Sequence, residues 1–233
     1  MNKYNVVMEM NDSTVVTEYE PVKRKSDSYQ SEQALENEFI RMLTEQGYDY
    51  LEIHDSESLI KNLRTQLEIV NDYKFTDSEW NRFFNDSIAN SNDGIVEKTR
   101  KIQEDNIQVL KRDDGTSKNI TLIDKKYIHN NRLQVINQYV ENTGNYDNRY
   151  DVTILVNGLP LVHIELKRRG VALKEAFNQI NRYQRDSFWA GSGLYEYIQI
   201  FVISNGTSTK YYSNTTRESH IKEQTSTRNK SKK

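Results

Sequence analysis

The sequence predicts a mixed α/β fold: a mixed sheet that includes a hairpin, flanked by helices and carrying a helical insertion. Residues 152–156 are a β-branched apolar run, Asn157-Gly158 is a turn pair of the kind that closes two-residue hairpins, and residues 161–166 are a second apolar run. Before that hairpin, apolar residues recur at helical spacing. Leu35, Phe39, Met42 and Leu43 share one face over 31–46, and Leu59, Leu63 and Leu67 share another over Ser56–Val70. After it, Leu173, Ala176, Phe177 and Ile180 mark the apolar stripe of a helix over 171–188.

Taken in order, residues 1–30 read as a mobile N-terminal segment, most linker-like at Pro21-Val22-Lys23-Arg24-Lys25. Ser31 can cap the first helix, since its side chain can accept from an otherwise unpaired amide of the first turn. Thr76-Asp77-Ser78-Glu79 is a capping box, with Phe75 and Trp80 as its hydrophobic staple. That helix continues through Phe83 and Phe84, and a basic helix begins near Gly94. These helices make an insertion over about 56–105, ahead of the strands expected at 120–123, 134–140 and 197–204. One folded domain over 31–214 is expected, followed by a polar tail at 215–233 too poor in apolar residues to order itself.

Composition narrows the function. The chain has 233 residues, no cysteine and a net charge of −2, so thiol chemistry is excluded and no global charge draws it to nucleic acid. No apolar run approaches the ~18 residues of a membrane span, and the start shows no secretory pattern, so a soluble cytoplasmic protein without a membrane partner is expected. Nine glycines and no Gly-x-x-x-x-Gly-Lys-Ser/Thr run leave no phosphate loop. DNA contact must therefore come from a local cluster: Arg168 and Arg169 beside Lys167, with Lys174, Arg182 and Arg185 on the following helix. A solvated helix face is the competing reading of those residues. The four histidines show no metal-ligand spacing, and His163 reads as an edge residue.

The hairpin carries the chemistry. Folding it back brings Asp151, at the start of one strand, near Glu165 at the end of the other. Side chains alternate along a strand, so Glu165 and Lys167 face one way while Leu166 turns into the core. All three polar groups are expected at a strand end outside the core. Mg²⁺ takes hard oxygen ligands and keeps several waters, so Asp151, Glu165 and the carbonyl of Leu166 are a plausible ligand set. Lys167 can hold an attacking water or offset charge building on a phosphate. The competing reading is a solvated cross-strand ion pair between Glu165 and Lys167. On the following helix, Gln179 and Tyr183 are four apart and share a face, which is either a DNA-positioning pair or boundary packing. Glu36 or Glu38 of the first helix is either surface charge or a further group facing the metal.

Asn148-Arg149-Tyr150-Asp151, Asn157-Gly158-Leu159-Pro160-Leu161-Val162, Ile164-Glu165-Leu166-Lys167, Ala176-Phe177-Asn178-Gln179-Ile180-x-Arg182-Tyr183 and Phe201-Val202-Ile203-Ser204-Asn205-Gly206, with Asp77-Ser78-Glu79-Trp80 upstream, stand together in this chain. This set resembles the nuclease module that opens the restriction subunit (HsdR) of type I restriction–modification enzymes, over roughly residues 27–216. The resemblance implies a restriction-endonuclease-like PD-(D/E)xK fold, in which Asp151, Glu165 and Lys167 match the catalytic motif and Gln179 with Tyr183 its QxxxY extension; Tyr150 stands at the loosely kept "P" position. It further implies Mg²⁺-dependent cleavage of double-stranded DNA, a separate specificity subunit that reads the target, and a methyltransferase partner. In that family ATP enters through motor domains that follow the module. This chain stops at Lys233 without them, which reads as a natural truncation, a frameshifted end or an artificial boundary. Two other functions stay open: a stand-alone repair or recombination nuclease using the same residues, and an inactive remnant that only folds and docks.

Overall fold

The computed structural model describes residues 4–9, 15–19, 31–142, 147–186 and 193–214. At its centre is a six-stranded mixed sheet in the order β10-β9-β8-β7-β6-β3. Its strands are β3 (Asp49–Tyr50), β6 (Leu133–Asn142), β7 (Asp147–Val156), β8 (Leu159–Leu166), β9 (Ile200–Ser204) and β10 (Thr209–Ser213). The β6–β7–β8 meander is antiparallel, whereas β9 runs parallel to β8 and β3 parallel to β6. The predicted hairpin is therefore the middle of the sheet. Asn157 (φ 51°) and Gly158 (φ 82°) both adopt the left-handed conformation that a two-residue turn requires.

One helix covers one face. α1 (Glu32–Glu45), capped by Ser31 through the amide of Ala34, packs Phe39, Ile40 and Leu43 on Val135, Val152, Ile164 and Leu166. The other face carries a larger core. α2 (Ser56–Val70), α3 (Asp77–Phe83) and α4 (Ile95–Gln103) lie in the chain between the parallel pair β3 and β6, where the insertion is expected. They are integral to the packing, because Leu59, Leu63, Leu67, Trp80, Phe83 and Ile102 join the same core as Ile136, Tyr139, Leu155 and Phe201 of the sheet. The capping box of α3 forms as expected, and Phe75 meets Trp80 edge to face at 5.4 Å. A single π-helical turn, Phe84–Ile88, extends α3 and buries Ile88. α5 (Leu173–Asp186) follows β8 and places Ala176 and Ile180 in the larger core. Among the described residues no helix is long and apolar enough to cross a membrane.

Within residues 1–30, β1 (Tyr4–Glu9) and β2 (Val15–Tyr19) form an antiparallel pair; their Val-rich stretches flank Asn11-Asp12-Ser13, a turn-type sequence. Two strand expectations are corrected. The strand expected at 120–123 ends at Thr121 and pairs with an unforeseen strand: β4 (Ile107–Lys111) and β5 (Ser117–Thr121) make a separate hairpin around Gly115 (φ 83°). The strand expected from residue 197 begins only at Ile200, since Leu194–Tyr197 is a 3₁₀ turn that buries Leu194, Tyr195 and Tyr197. An apolar run does not distinguish a buried turn from a buried strand. The polar tail at 215–233 lies outside the described residues.

Candidate functional site

Two strands that part company create the site. The β7–β8 ladder runs up to Val152 opposite Ile164 and stops there. β8 continues alongside β9, and the Lys167 amide donates to the Ser204 carbonyl at 2.8 Å. Alternate amides of a strand address alternate neighbours, so the Leu166 N–H points toward β7, where no strand partner remains. The carboxylate of Asp151 takes its place, accepting from that amide at Oδ2 over 2.8 Å. A strand-end vacancy in the ladder thus fixes Asp151 beside Glu165.

Glu165 and Lys167 face together, as alternation requires, but they are not outside the core. Glu165 is 0% and Lys167 8% exposed, because residues 163, 165 and 167 turn toward the sheet face that α5 and the larger core cover. Lys167 Nζ donates to Glu165 Oε1 at 2.9 Å and to the Leu166 carbonyl at 3.0 Å. The exposed cross-strand ion pair is therefore excluded, and this pair is buried. Glu165 Oε2 accepts no hydrogen bond among the described residues; His163 Nε2 lies 3.5 Å from it. His163 is likewise not an edge residue. It is fully buried in a central strand, with its ring edge-on to Tyr150 at 5.5 Å.

This burial sets the electrostatics. Burial and then the neighbouring Glu165 push the Asp151 carboxyl up to about 7, against the opposing pull of the Leu166 amide and Lys167. Burial pushes Glu165 up to about 7 as well, against the opposing pull of Lys167. Burial opposes the Lys167 charge, but Glu165 facing it outweighs that and its pKa rises. Burial holds His163 neutral, down to about 4. Two carboxyls near neutrality, one with an unsatisfied buried oxygen, form a site short of positive charge. Together with the Leu166 carbonyl they offer hard oxygen donors that could hold a divalent cation retaining its waters. Among the described residues no three or more His, Cys, Asp or Glu side chains cluster as a protein-only metal cage.

The first helix contributes differently from expectation. Glu36 is 3% exposed rather than surface charge, and its carboxylate accepts from the side-chain amides of Asn137 and Gln138. The glutamate that borders the site is Glu32, with Oε2 3.9 Å from Lys167 Nζ and Oε1 accepting from the Arg168 amide at 3.4 Å. Its place at the start of a helix capped by Ser31 was visible; that this helix end meets β8 was not. Arg168, Arg169 and Lys174 are exposed beside the site. Gln179 is half-buried on α5. The side chains of Arg182, Tyr183 and Arg185 lie outside the described residues.

A mixed sheet whose central strands part at an Asp, with Glu-x-Lys on the neighbouring strand and a helix following, is the restriction-endonuclease-like fold. The profile of the family "Type I restriction enzyme R protein N terminus" matches residues 29–220, and the chain belongs to that family. It is 48% identical over 212 residues to the type I restriction enzyme EcoprrI endonuclease subunit of Escherichia coli, covering 91% of this chain and 67% of that protein. It is 43% identical over 197 residues to the SauMSSORF170P endonuclease subunit of Staphylococcus aureus strain MSSA476, covering 82% of this chain and 20% of that protein. A putative endonuclease subunit of Methanocaldococcus jannaschii, MjaVIIIP, shares 29% identity over 189 residues. The chain thus spans about two thirds of the E. coli relative and a fifth of the S. aureus one.

Proposed function

We propose that this chain is the cutting module of a type I restriction enzyme and hydrolyses phosphodiester bonds of double-stranded DNA with Mg²⁺. The observation that supports it is the meeting of half-buried Asp151 with buried Glu165 and Lys167 where β7 and β8 diverge. Asp151, Glu165 and the Leu166 carbonyl would hold the ion. When bound, Mg²⁺ polarises a phosphate and makes a coordinated water more acidic. Lys167, kept charged by Glu165, would hold the attacking water or offset the charge that grows on the phosphoryl oxygens. Glu32, 3.9 Å from the same ammonium, helps to aim it. Exposed Arg168, Arg169 and Lys174, with Arg182 on α5, would contact the DNA backbone, and Gln179 with Tyr183 would position it.

We further propose that target reading falls to a separate specificity subunit, that a methyltransferase completes the complex, and that ATP acts through motor domains rather than through this module; the naming of the relatives as endonuclease subunits supports a multi-subunit enzyme. Alanine at Asp151, Glu165 or Lys167 tests the reading in the assembled enzyme. Each substitution should lower DNA cleavage by on the order of a hundredfold or more while the domain stays folded. Parent-rate cleavage by any one of them sinks the assignment of that residue.

A further inference from the structure

Gln138, in β6, has φ 53°, a left-handed conformation that is uphill for any residue with a Cβ and is normally left to Gly, Asn or Asp. It lies opposite Asp151: the ladder pairs Asn137 with Val152 and Tyr139 with Tyr150, and leaves Gln138 and Asp151 unpaired between them. Both strands change phase there. In a regular strand, residues two apart share a face. Yet Val152 packs on the α1 side of the sheet, whereas Tyr150 lies in the larger core on the other side. On β6, Asn137 reaches α1 while Tyr139 stacks on Tyr150 in the larger core, with ring centroids 5.9 Å apart. Asp151 sits at the step between the two phases.

One carboxylate spans the step on the opposite strand. Consecutive residues should point to opposite faces, but the side chains of Asn137 and Gln138 both donate to Glu36, one to each oxygen. Tyr50 donates to Asn137 Oδ1 at 2.9 Å, which fixes that amide with its NH₂ toward Glu36. The carboxylate of Glu36 is buried and offers only acceptors, to Asn137 and Gln138 of β6 and, at 3.4 Å, to Gln33 of its own helix.

We infer that Glu36 is a positioning residue: by holding Gln138 in its left-handed conformation it sets the phase step that delivers Asp151 to the Leu166 amide and to Glu165. The inference deepens the nuclease reading, since a displaced Asp151 could not serve the proposed metal site. It gives Glu36 a role through the backbone rather than as a ligand.

Hydrogen exchange on the full chain tests it without metal or DNA. The Leu166 amide, bonded to Asp151, reports where Asp151 sits; the Lys167 amide, bonded to Ser204, reports whether β8 and β9 remain paired. Glu36→Gln turns an amide donor toward the donors of Asn137 and Gln138, so Leu166 exchange should quicken by roughly ten- to a hundredfold, with Lys167 unchanged. Gln138→Gly adopts positive φ unaided. It should keep Leu166 protected, and in combination it should restore protection to the Glu36→Gln chain. Unchanged Leu166 protection in Glu36→Gln overturns the inference. If Glu36→Gln loses both amides, the double variant decides: recovery at both supports the role, and continued loss overturns it. Because exchange measures placement rather than cleavage, a negative result here leaves the nuclease assignment standing, and failure of the alanine variants to lose cleavage leaves the placement standing.

Discussion

At the Asn157–Gly158 end of the β7–β8 hairpin, the buried Asn157 side chain is hydrogen-bonded through both its oxygen and its nitrogen and both turn residues suit a left-handed backbone; the Asp151–Glu165 end lacks both features. Asn157 is buried in a left-handed conformation that its residue type tolerates, and its side chain donates to Leu122 O and Asn131 Oδ1 while accepting from the Arg132 amide. Gly158 admits α2 so closely that a Cβ there would lie 2.7 Å from Leu63 Cα. Roughly twenty ångströms of strand separate that turn from carboxyls pushed toward neutrality, a buried oxygen with no donor among the described residues and a left-handed glutamine across the ladder. One end stabilises the sheet. The other withholds stability at the place where the chemistry is proposed.

The difference predicts what substitution does at each end. At the site end, loss of Asp151, Glu165 or Lys167 should separate activity from folding: cleavage falls by on the order of a hundredfold or more, and the unfolding transition remains. At the turn end the two should fall together. Gly158→Ala meets both the positive φ and the Leu63 backbone, and should destabilise by about 2–5 kcal/mol, read as a lower urea midpoint. A Gly158→Ala chain as stable as the parent would dissolve the contrast.

The pH dependence of stability sharpens it. Asp151 and Glu165 have folded pKa values raised to about 7, above their unfolded values, so their contribution is intact below pH ~4 and is lost as pH rises through about 7. His163 acts oppositely: its folded value is depressed to about 4, so its contribution is intact above pH ~6.5 and is lost as pH falls. Asp151→Asn isolates the first effect. Without metal, this variant should gain on the parent as pH goes from 5 to 8, by about 2–4 °C in Tm for each kcal/mol recovered. A constant difference across that range would mean that the carboxyl pair carries no such penalty. The smallest effect is expected at the rim: Gln179→Ala should reduce cutting several-fold yet leave Mg²⁺ affinity nearly unchanged in calorimetry, and metal loss as severe as that of Asp151→Ala would make Gln179 more than a positioning group.

The turn end was legible in the sequence and the site end only partly so. Asn157-Gly158, the limits Ser56–Val70 and the box from Thr76 to Glu79 are local chemistry: spacing and residue type specify them without the rest of the chain. Strand alternation likewise brings Glu165 and Lys167 to one side. Their burial was not legible, because it depends on α5 and the larger core closing over a strand end that periodicity alone leaves open. Glu32 was missed for a similar reason, since only tertiary packing brings the first turn of α1 to Lys167. Gln138 left no signal at all: glutamine is no marker of positive φ, and the conformation is held by Glu36, about a hundred residues away in sequence.

The most direct test of the contrast is the effect of Mg²⁺ on thermal unfolding of the parent chain and of Asp151→Asn and Glu165→Gln at pH 8. If the site end is a charge-deficient pair shaped for a cation, Mg²⁺ should raise the Tm of the parent by mass action, with a shift that grows with concentration. Each variant should start higher than the parent without metal and gain little from it. An equal Mg²⁺ shift in all three chains, or none in the parent, would contradict the account.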